Sequence, residues 1–194
     1  MRTYSHAILT VALGTALRDR GVRVDLPRFV MGSILPDVPF LLLSLSGAAY
    51  LRWERGISGD SMWAILGHLY QFDPLWITAH NLFHAPLLIM LYILLGIWGE
   101  RRGYAWGIAL RWFALGCLFH TALDIPTHHS DGPVLFFPLN WSYRFPSPIS
   151  YWERDYHAAA FTIFEYSLNA LAIVYLAIRW GLRKLRRTSS APSA

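Results

Sequence analysis

The chain has 194 residues, 55% of them hydrophobic and only 15% charged, with nine Trp, ten Tyr and eleven Phe and a formal net charge of +5. A soluble domain carries about 25% charged residues, so this composition points to lipid as the solvent, and the length suits one domain. The lone Cys117 excludes an intramolecular disulfide and a thiolate zinc framework, and the basic residues gather at the ends of apolar runs rather than among aromatics, which argues against nucleic acid as a partner.

In chain order, "MRTYSHAILTVALGTALRDRG" is apolar but interrupted by polar residues and lacks a small-residue cleavage site. It reads as a retained first helix, a short span over His6 to Leu17. Phe29 to Leu51 is long enough to cross a hydrocarbon core about 30 Å thick. Pro36 and Pro39 flank Asp37 there, and the missing donor and the restricted geometry before proline predict a helix broken at Pro36–Pro39. A broken helix at membrane depth is tolerated only where it lines a cavity or is buried in protein, and an Asp at that depth is functional by default.

An outer loop near 52–77 follows, containing the helical stretch "MWAILGHLY". Leu82 to Trp98 and Tyr104 to Ile125 are the next spans. A second long loop near 126–156 leads to the last span, Ala158 to Trp180. Its segment 133–152, "GPVLFFPLNWSYRFPSPISYW" with its flanks, reads either as an interfacial aromatic belt or as a lid or acyl-chain groove. The fold class expected is therefore all-α, a polytopic transmembrane helical bundle of about five helices forming one domain over 1–187, with a disordered tail over 188–194. No alternating pattern supports a barrel.

The basic residues set the expected orientation. Arg18, Arg20, Arg23 and Arg28, then Arg101 and Arg102, then Arg179, Arg183, Lys184, Arg186 and Arg187 fall at ends that one side of the bilayer can share. The positive-inside rule puts that side in the cytoplasm, with the N-terminus out and the C-terminus in, in an inner (cytoplasmic) membrane. His6, His80, His84, His120, Asp124 and His157 then all fall in the opposite, extracytoplasmic layer.

The ionisable residues of that layer carry the chemistry. In "HNLFH" and "HTALD" the paired residues are four apart, near enough on a helix to share a metal. Pro126 ends the fourth span, leaving His128 to fold back over the site. The expected metal ligands are His6, Asp37, His80, His84, His120, Asp124 and His128, with Asp37 and His128 also placed to act on a substrate. Imidazole and carboxylate without thiolate suit a divalent metal, zinc first, with iron and manganese as alternatives. So many candidates exceed one tetrahedral site, and a cluster bridged by Asp37 or Asp124 would favour phosphoester hydrolysis by a metal-activated water. Glu165 reads as a support behind the metals or as a partner of Asn169. His68 and His129 read as non-ligands, and Asp131, Glu153 and Asp155 as solvated loop carboxylates.

Taken together, "SHAILT", "GSILPDVPF", "HNLFHAP" and "HTALDIPTHHSDGPVLFFPL" resemble the YdjM-like membrane-bound metal-dependent hydrolases, over His6 to Pro138. His120, Asp124, Thr127, Gly132 and Pro138 fit the last element of that family's pattern. The histidine pair departs from it, being four rather than five apart and followed by Ala85, so His84 carries over better than His80. The family is in turn distantly similar to zinc-dependent phospholipase C. That resemblance implies a metal core of His6, Asp37, His84, His120 and Asp124 around one to three zinc ions. The phospholipase's further His-x-x-x-Glu pair has no counterpart, because Phe161 stands where the Glu after His157 would be.

The expected function is thus a membrane-embedded metal-dependent hydrolase of a phosphoester or lipid-linked substrate, with the bilayer as its surroundings. One alternative is an ion- or metal-handling transporter, although "LLIMLYILLGIW" and "WGIALRWFAL" offer almost no polar path beyond Arg111. The other is a scaffold whose His/Asp pairs only hold helices together.

Overall fold

The computed structural model describes residues 1–189, with side chains described through Leu185. The chain forms helices α1 (Thr3–Asp19), α2 (Leu26–Ile34), α3 (Asp37–Trp53), α4 (Gly59–Phe72), α5 (Pro74–Asn81), α6 (Pro86–Arg101), α7 (Ala105–Asp124) and α8 (Ala158–Ser189). No strand forms among the described residues; one isolated bridge pairs Val134 with Arg144. Of the expected tail, 188–189 continue α8, and 190–194 lie outside the described residues.

Three stretches are long and apolar enough to cross a membrane: Leu26–Trp53, Ala105–Thr127 and Ala158–Leu185. The bent pair α5 and α6, at 45°, makes a fourth if taken as one span. Their outward faces are greasy, with Leu42, Leu45, Leu94, Ile163 and Leu171 all exposed. Such a surface suits lipid and would be an aggregation liability in water.

Local chemistry sets the helix boundaries. Asp25 caps α2 by accepting from the Arg28 amide, and Asp73 caps α5 by accepting from the Leu75 and Trp76 amides. Pro27, Pro74 and Pro86 sit in first turns, where no amide donor is missed. The break expected at Pro36–Pro39 is present: α2 stops at Ile34 and α3 starts at Asp37. The stretch 52–77, expected as a loop, is mostly helical, because Leu66 and Tyr70, one turn apart, bury against Leu51 and Trp76.

α7 is the central helix, packed against α2 and α6. Its crossing with α2 is set by glycines. A Cβ on Gly32 would fall 2.9 Å from the Phe113 carbonyl carbon and 3.0 Å from the Cys117 nitrogen. One on Gly116 would fall 2.9 Å from the Gly32 Cα. Only two helices without side chains at this point can approach so closely.

α1 and α8 run parallel. Asn169 donates to the Ser5 hydroxyl at 2.8 Å, and Asp19 pairs with Arg179 at 2.6 Å and Arg183 at 3.0 Å at the far end. The bundle thus has a basic pole, and the start of α1, the end of α7 and the start of α8 converge at the other. The long connection 126–156 covers that second pole. Its Val134 and Phe137 are buried with Ile77 and Ala85, while Phe136, Leu139, Trp141 and Tyr143 remain exposed, so one segment is both plug and aromatic rim.

Candidate metal centre

Two imidazoles meet where α7 passes the α5–α6 turn. His84 Nε2 lies 3.0 Å from His120 Nε2. Each ring's other nitrogen faces a backbone carbonyl: His84 Nδ1 lies 2.7 Å from the His80 oxygen and His120 Nδ1 lies 2.8 Å from the Ser33 oxygen. A carbonyl can only accept, so each Nδ1 carries the proton and donates. In the neutral rings this leaves both Nε2 atoms as lone pairs aimed at one another inside the protein, where both rings are buried.

Two carboxylates close the group. Asp124 Oδ2 lies 2.8 Å from His120 Nε2 and 3.7 Å from His84 Nε2. Asp37 Oδ1 lies 3.4 Å and 3.6 Å from the same two atoms. One ligand atom from each of Asp37, His84, His120 and Asp124 lies within 4.8 Å of the other three. Ligands at zinc-like bond lengths sit about 3.4 Å apart around a tetrahedron, so this donor set fits one divalent cation. His120 and Asp124 share a face at the end of α7, His84 stands in the α5–α6 turn, and Asp37 opens α3 after the break. Thr3 holds the second oxygen of Asp37 at 2.5 Å, and Thr121 ties down the His84 carbonyl at 3.0 Å.

Asp124 also has a second face. Its Oδ1 lies 3.0 Å from His6 Nε2, 3.4 Å from His128 Nε2 and 2.8 Å from the Met1 amino group. His6 stacks on His120 with ring centroids 3.8 Å apart. It is fully buried, yet neither of its nitrogens has a hydrogen-bond partner among the described residues, because the approach to Asp124 has the distance but not the alignment. His128 is aimed by Asp131, whose Oδ1 lies 3.0 Å from His128 Nδ1. Burial opposes the charged form of His128, but Asp124 and Asp131 outweigh it and hold the ring's pKa at about 9.

The other expected residues are distributed as follows. His80 is buried against His84 at a centroid distance of 4.1 Å, edge-on to Phe40 and Tyr70, with both nitrogens unpartnered among the described residues. It stands behind the four-residue group rather than in it. His68 contacts Phe72, His129 donates toward the Ser147 carbonyl and stacks on Tyr156, and exposed His157 precedes α8 in a left-handed conformation. Glu165 corrects the sequence reading. It is fully buried, it accepts from the Arg2 backbone and side chain, and Asn169 bonds Ser5 instead.

Asp131 is likewise not a solvated loop carboxylate. Besides aiming His128 it accepts from Trp152 Nε1 at 2.9 Å, and its carbonyl accepts from the Tyr70 hydroxyl at 2.6 Å. The three-residue spacing from His128 was its signal in the sequence. The roles of Thr3 and Arg2 had none, because both depend on how α1 lies against α3 and α8.

No curated protein and no solved structure matches the chain. A family model, that of the YdjM inner membrane protein, matches residues 1–188. With nearly the whole of its described length inside that match, the chain belongs to the YdjM inner membrane protein family.

Proposed function

We propose that the protein is a metal-dependent hydrolase of the inner membrane, acting on a phosphoester or other lipid-linked substrate from the extracytoplasmic side. The observation that carries this reading is the pair of facing Nε2 lone pairs, 3.0 Å apart and flanked by two carboxylates. Neutral rings repel at that distance unless a cation, a proton or a metal ion, sits among them, and a divalent one offsets both Asp charges. Zinc fits the donor types best, with iron and manganese sharing them.

Asp37, His84, His120 and Asp124 would hold the first ion. Asp124 Oδ1, His6 and His128 form the start of a second site, with Asp124 as the bridge. Ions so placed supply Lewis acidity and a water ionised near neutral pH. The protein's own residues do the rest. The Ser33 and His80 carbonyls fix the imidazole tautomers. Asp37, whose side chain is 26% exposed against 5% for Asp124, is the ligand a substrate would meet. His128, held through Nδ1 by Asp131, can hold or release a proton at Nε2. The basic pole, opposite the site, is the feature that supports an extracytoplasmic active side.

The test is metal content by elemental mass spectrometry on detergent-purified protein, with hydrolysis of phosphodiester lipids followed in parallel. The reading expects one or more equivalents of metal in the wild type, loss of metal and turnover in His120→Ala/Asp124→Ala, and a folded variant by circular dichroism. Wild-type protein that takes up no metal on reconstitution overturns it.

A further inference from the structure

Beside the metal centre lies a separate cleft of about 590 Å³, between the start of α1, the segment before α8 and the first turns of α8. Its walls carry Arg2 and Arg154, Tyr151 and Trp152, and the small or apolar Ala159 and Ile163. Arg154 before α8, the Arg2 guanidinium against Thr162 and Glu165 in the wall, and the aliphatic face of Ala159 and Ile163 together describe a site for an amphiphile, and the volume is that of a ligand site.

The walls are held in place. The Tyr151 amide donates to the Thr127 carbonyl at 2.9 Å, and the Ser150 amide donates to the Tyr156 carbonyl at 2.8 Å. Glu153 accepts from the Ser130 hydroxyl at 3.0 Å. Arg2 is anchored on Glu165 and keeps its side chain 29% exposed. Arg154 is exposed and has no ion-pair partner among the described residues. Glu153 and Asp155 flank it in sequence, but neither pairs with it, so this cation at the mouth of the cleft is available to an anionic ligand.

The location narrows the ligand. α8 is a candidate span and begins at Ala158, so Arg154 stands at an end of that span, at the level of headgroups, with the Arg2 guanidinium a turn farther in against Thr162. Exposed Trp152 belongs to the same level. Ile163, exposed one turn farther along α8, continues the cleft toward the hydrocarbon. Two short links connect the cleft to the metal centre. The Tyr151 ring lies 4.7 Å from that of His128, and Thr3, next to Arg2, holds Asp37, the most open ligand.

We propose that this cleft binds the phosphate headgroup of an anionic lipid, with Arg2 and Arg154 on the phosphate and the acyl chain lying along Ala159 and Ile163. Its service as the substrate's way to the metals rests on the hydrolase reading; binding itself does not. On this reading the ligand arrives by lateral diffusion in the bilayer.

Native mass spectrometry of the full chain in detergent, stripped of metal with EDTA, tests this with short-chain phosphatidylglycerol and phosphatidylcholine as probes. The expected result is retention of phosphatidylglycerol over phosphatidylcholine, weakened about fivefold in Arg154→Ala, the value of one cation near a membrane surface. Ala159→Trp, which fills the cleft, abolishes it, while Arg52→Ala, an exposed cation elsewhere, leaves it unchanged. Equal binding of both lipids, or unchanged binding in Arg154→Ala and Ala159→Trp, overturns the proposal. Displacement by millimolar inorganic phosphate as effective as by the lipid overturns the lipid as the ligand. Metal uptake on reconstitution of the same protein preparations, without EDTA, separates the two readings. Cleft-dependent lipid binding by a protein that takes up no metal sinks the hydrolase and leaves the cleft, and metal uptake without such binding does the reverse.

Discussion

Gly32→Ala should weaken metal binding although Gly32 touches no ligand. A methyl there lands 2.9 Å from the Phe113 carbonyl carbon and 3.0 Å from the Cys117 nitrogen, both backbone atoms that cannot rotate away. The Phe113 carbonyl oxygen is closer still, and ordinary contacts begin near 3.5 Å, so α2 and α7 must part by about 1–1.5 Å. The hydrogen bond from His120 Nδ1 to the Ser33 carbonyl, now 2.8 Å, spans that same crossing and would open to roughly 4 Å, beyond a useful bond. Overpacking of this kind costs about 1–3 kcal/mol, which for a chain of this size lowers Tm by roughly 2–12 °C. Losing the carbonyl that orients a ligating histidine weakens metal affinity by about 10–100-fold. Gly67→Ala is the matched control, because a Cβ there meets nothing within 4 Å, and helix propensity should make it neutral or up to ~1 kcal/mol stabilising. Zinc affinity by competition with a chromophoric chelator, together with thermal unfolding in detergent, reads both variants. A Gly32→Ala protein with the control's affinity and Tm would refute the coupling of helix approach to ligand orientation.

Other expectations are simpler. His80→Ala should keep the metal stoichiometry of the wild type by elemental mass spectrometry, because the His80 backbone carbonyl, not its ring, supports His84. Loss of an ion in that variant would place the ring among the ligands. Glu165→Gln should lower stability by about 2 kcal/mol, the buried-pair range of ~3–5 discounted for the solvent that reaches Arg2, seen as a Tm shift with metal content intact. Apparent zinc affinity should fall as pH drops below about 6.5, where free imidazole protonates. If His128 is a ligand, affinity should go on rising with pH to about 9, because its proton must leave before the metal binds. A plateau above about pH 7 would remove His128 from the ligand set.

How much of this was legible in the sequence depended on distance along the chain. His120 and Asp124, four apart on one helix, could be paired from the helical repeat alone, and Asp37 was marked by the prolines around it. His84 could be paired with His80 by the same arithmetic, but the α5–α6 bend separates their roles. His84 turns toward α7, and His80 is left between Phe40 and Tyr70. Spacing does bring the two rings together, stacked at 4.1 Å, but α5 ends at Asn81 and His84 lies in the turn beyond it. Contacts such as Thr3 with Asp37 or Arg2 with Glu165 join residues far apart in sequence, and no local pattern encodes them. The helical content of 52–77 was visible in part as "MWAILGHLY", yet its burial needed the facing surface of α3.

The two helix breaks also explain why the imidazoles point inward together. Ser33 lies in the last turn of α2 and His80 in the last turn of α5, where carbonyls have no partner within their own helix. Pro36, whose missing amide would have served the Gly32 carbonyl, stops α2 before another turn can form and leaves Ser33 in the last turn. At membrane depth such carbonyls cannot turn to water, and leaving them unpaired is costly. Each is satisfied by a histidine Nδ1–H, from His120 in one case and His84 in the other. In a neutral ring the same bond leaves Nε2 as the acceptor, and it fixes the ring's direction. Breaking two helices near one layer therefore creates two acceptors, the acceptors select one tautomer on two histidines, and the remaining lone pairs converge on Asp37 and Asp124.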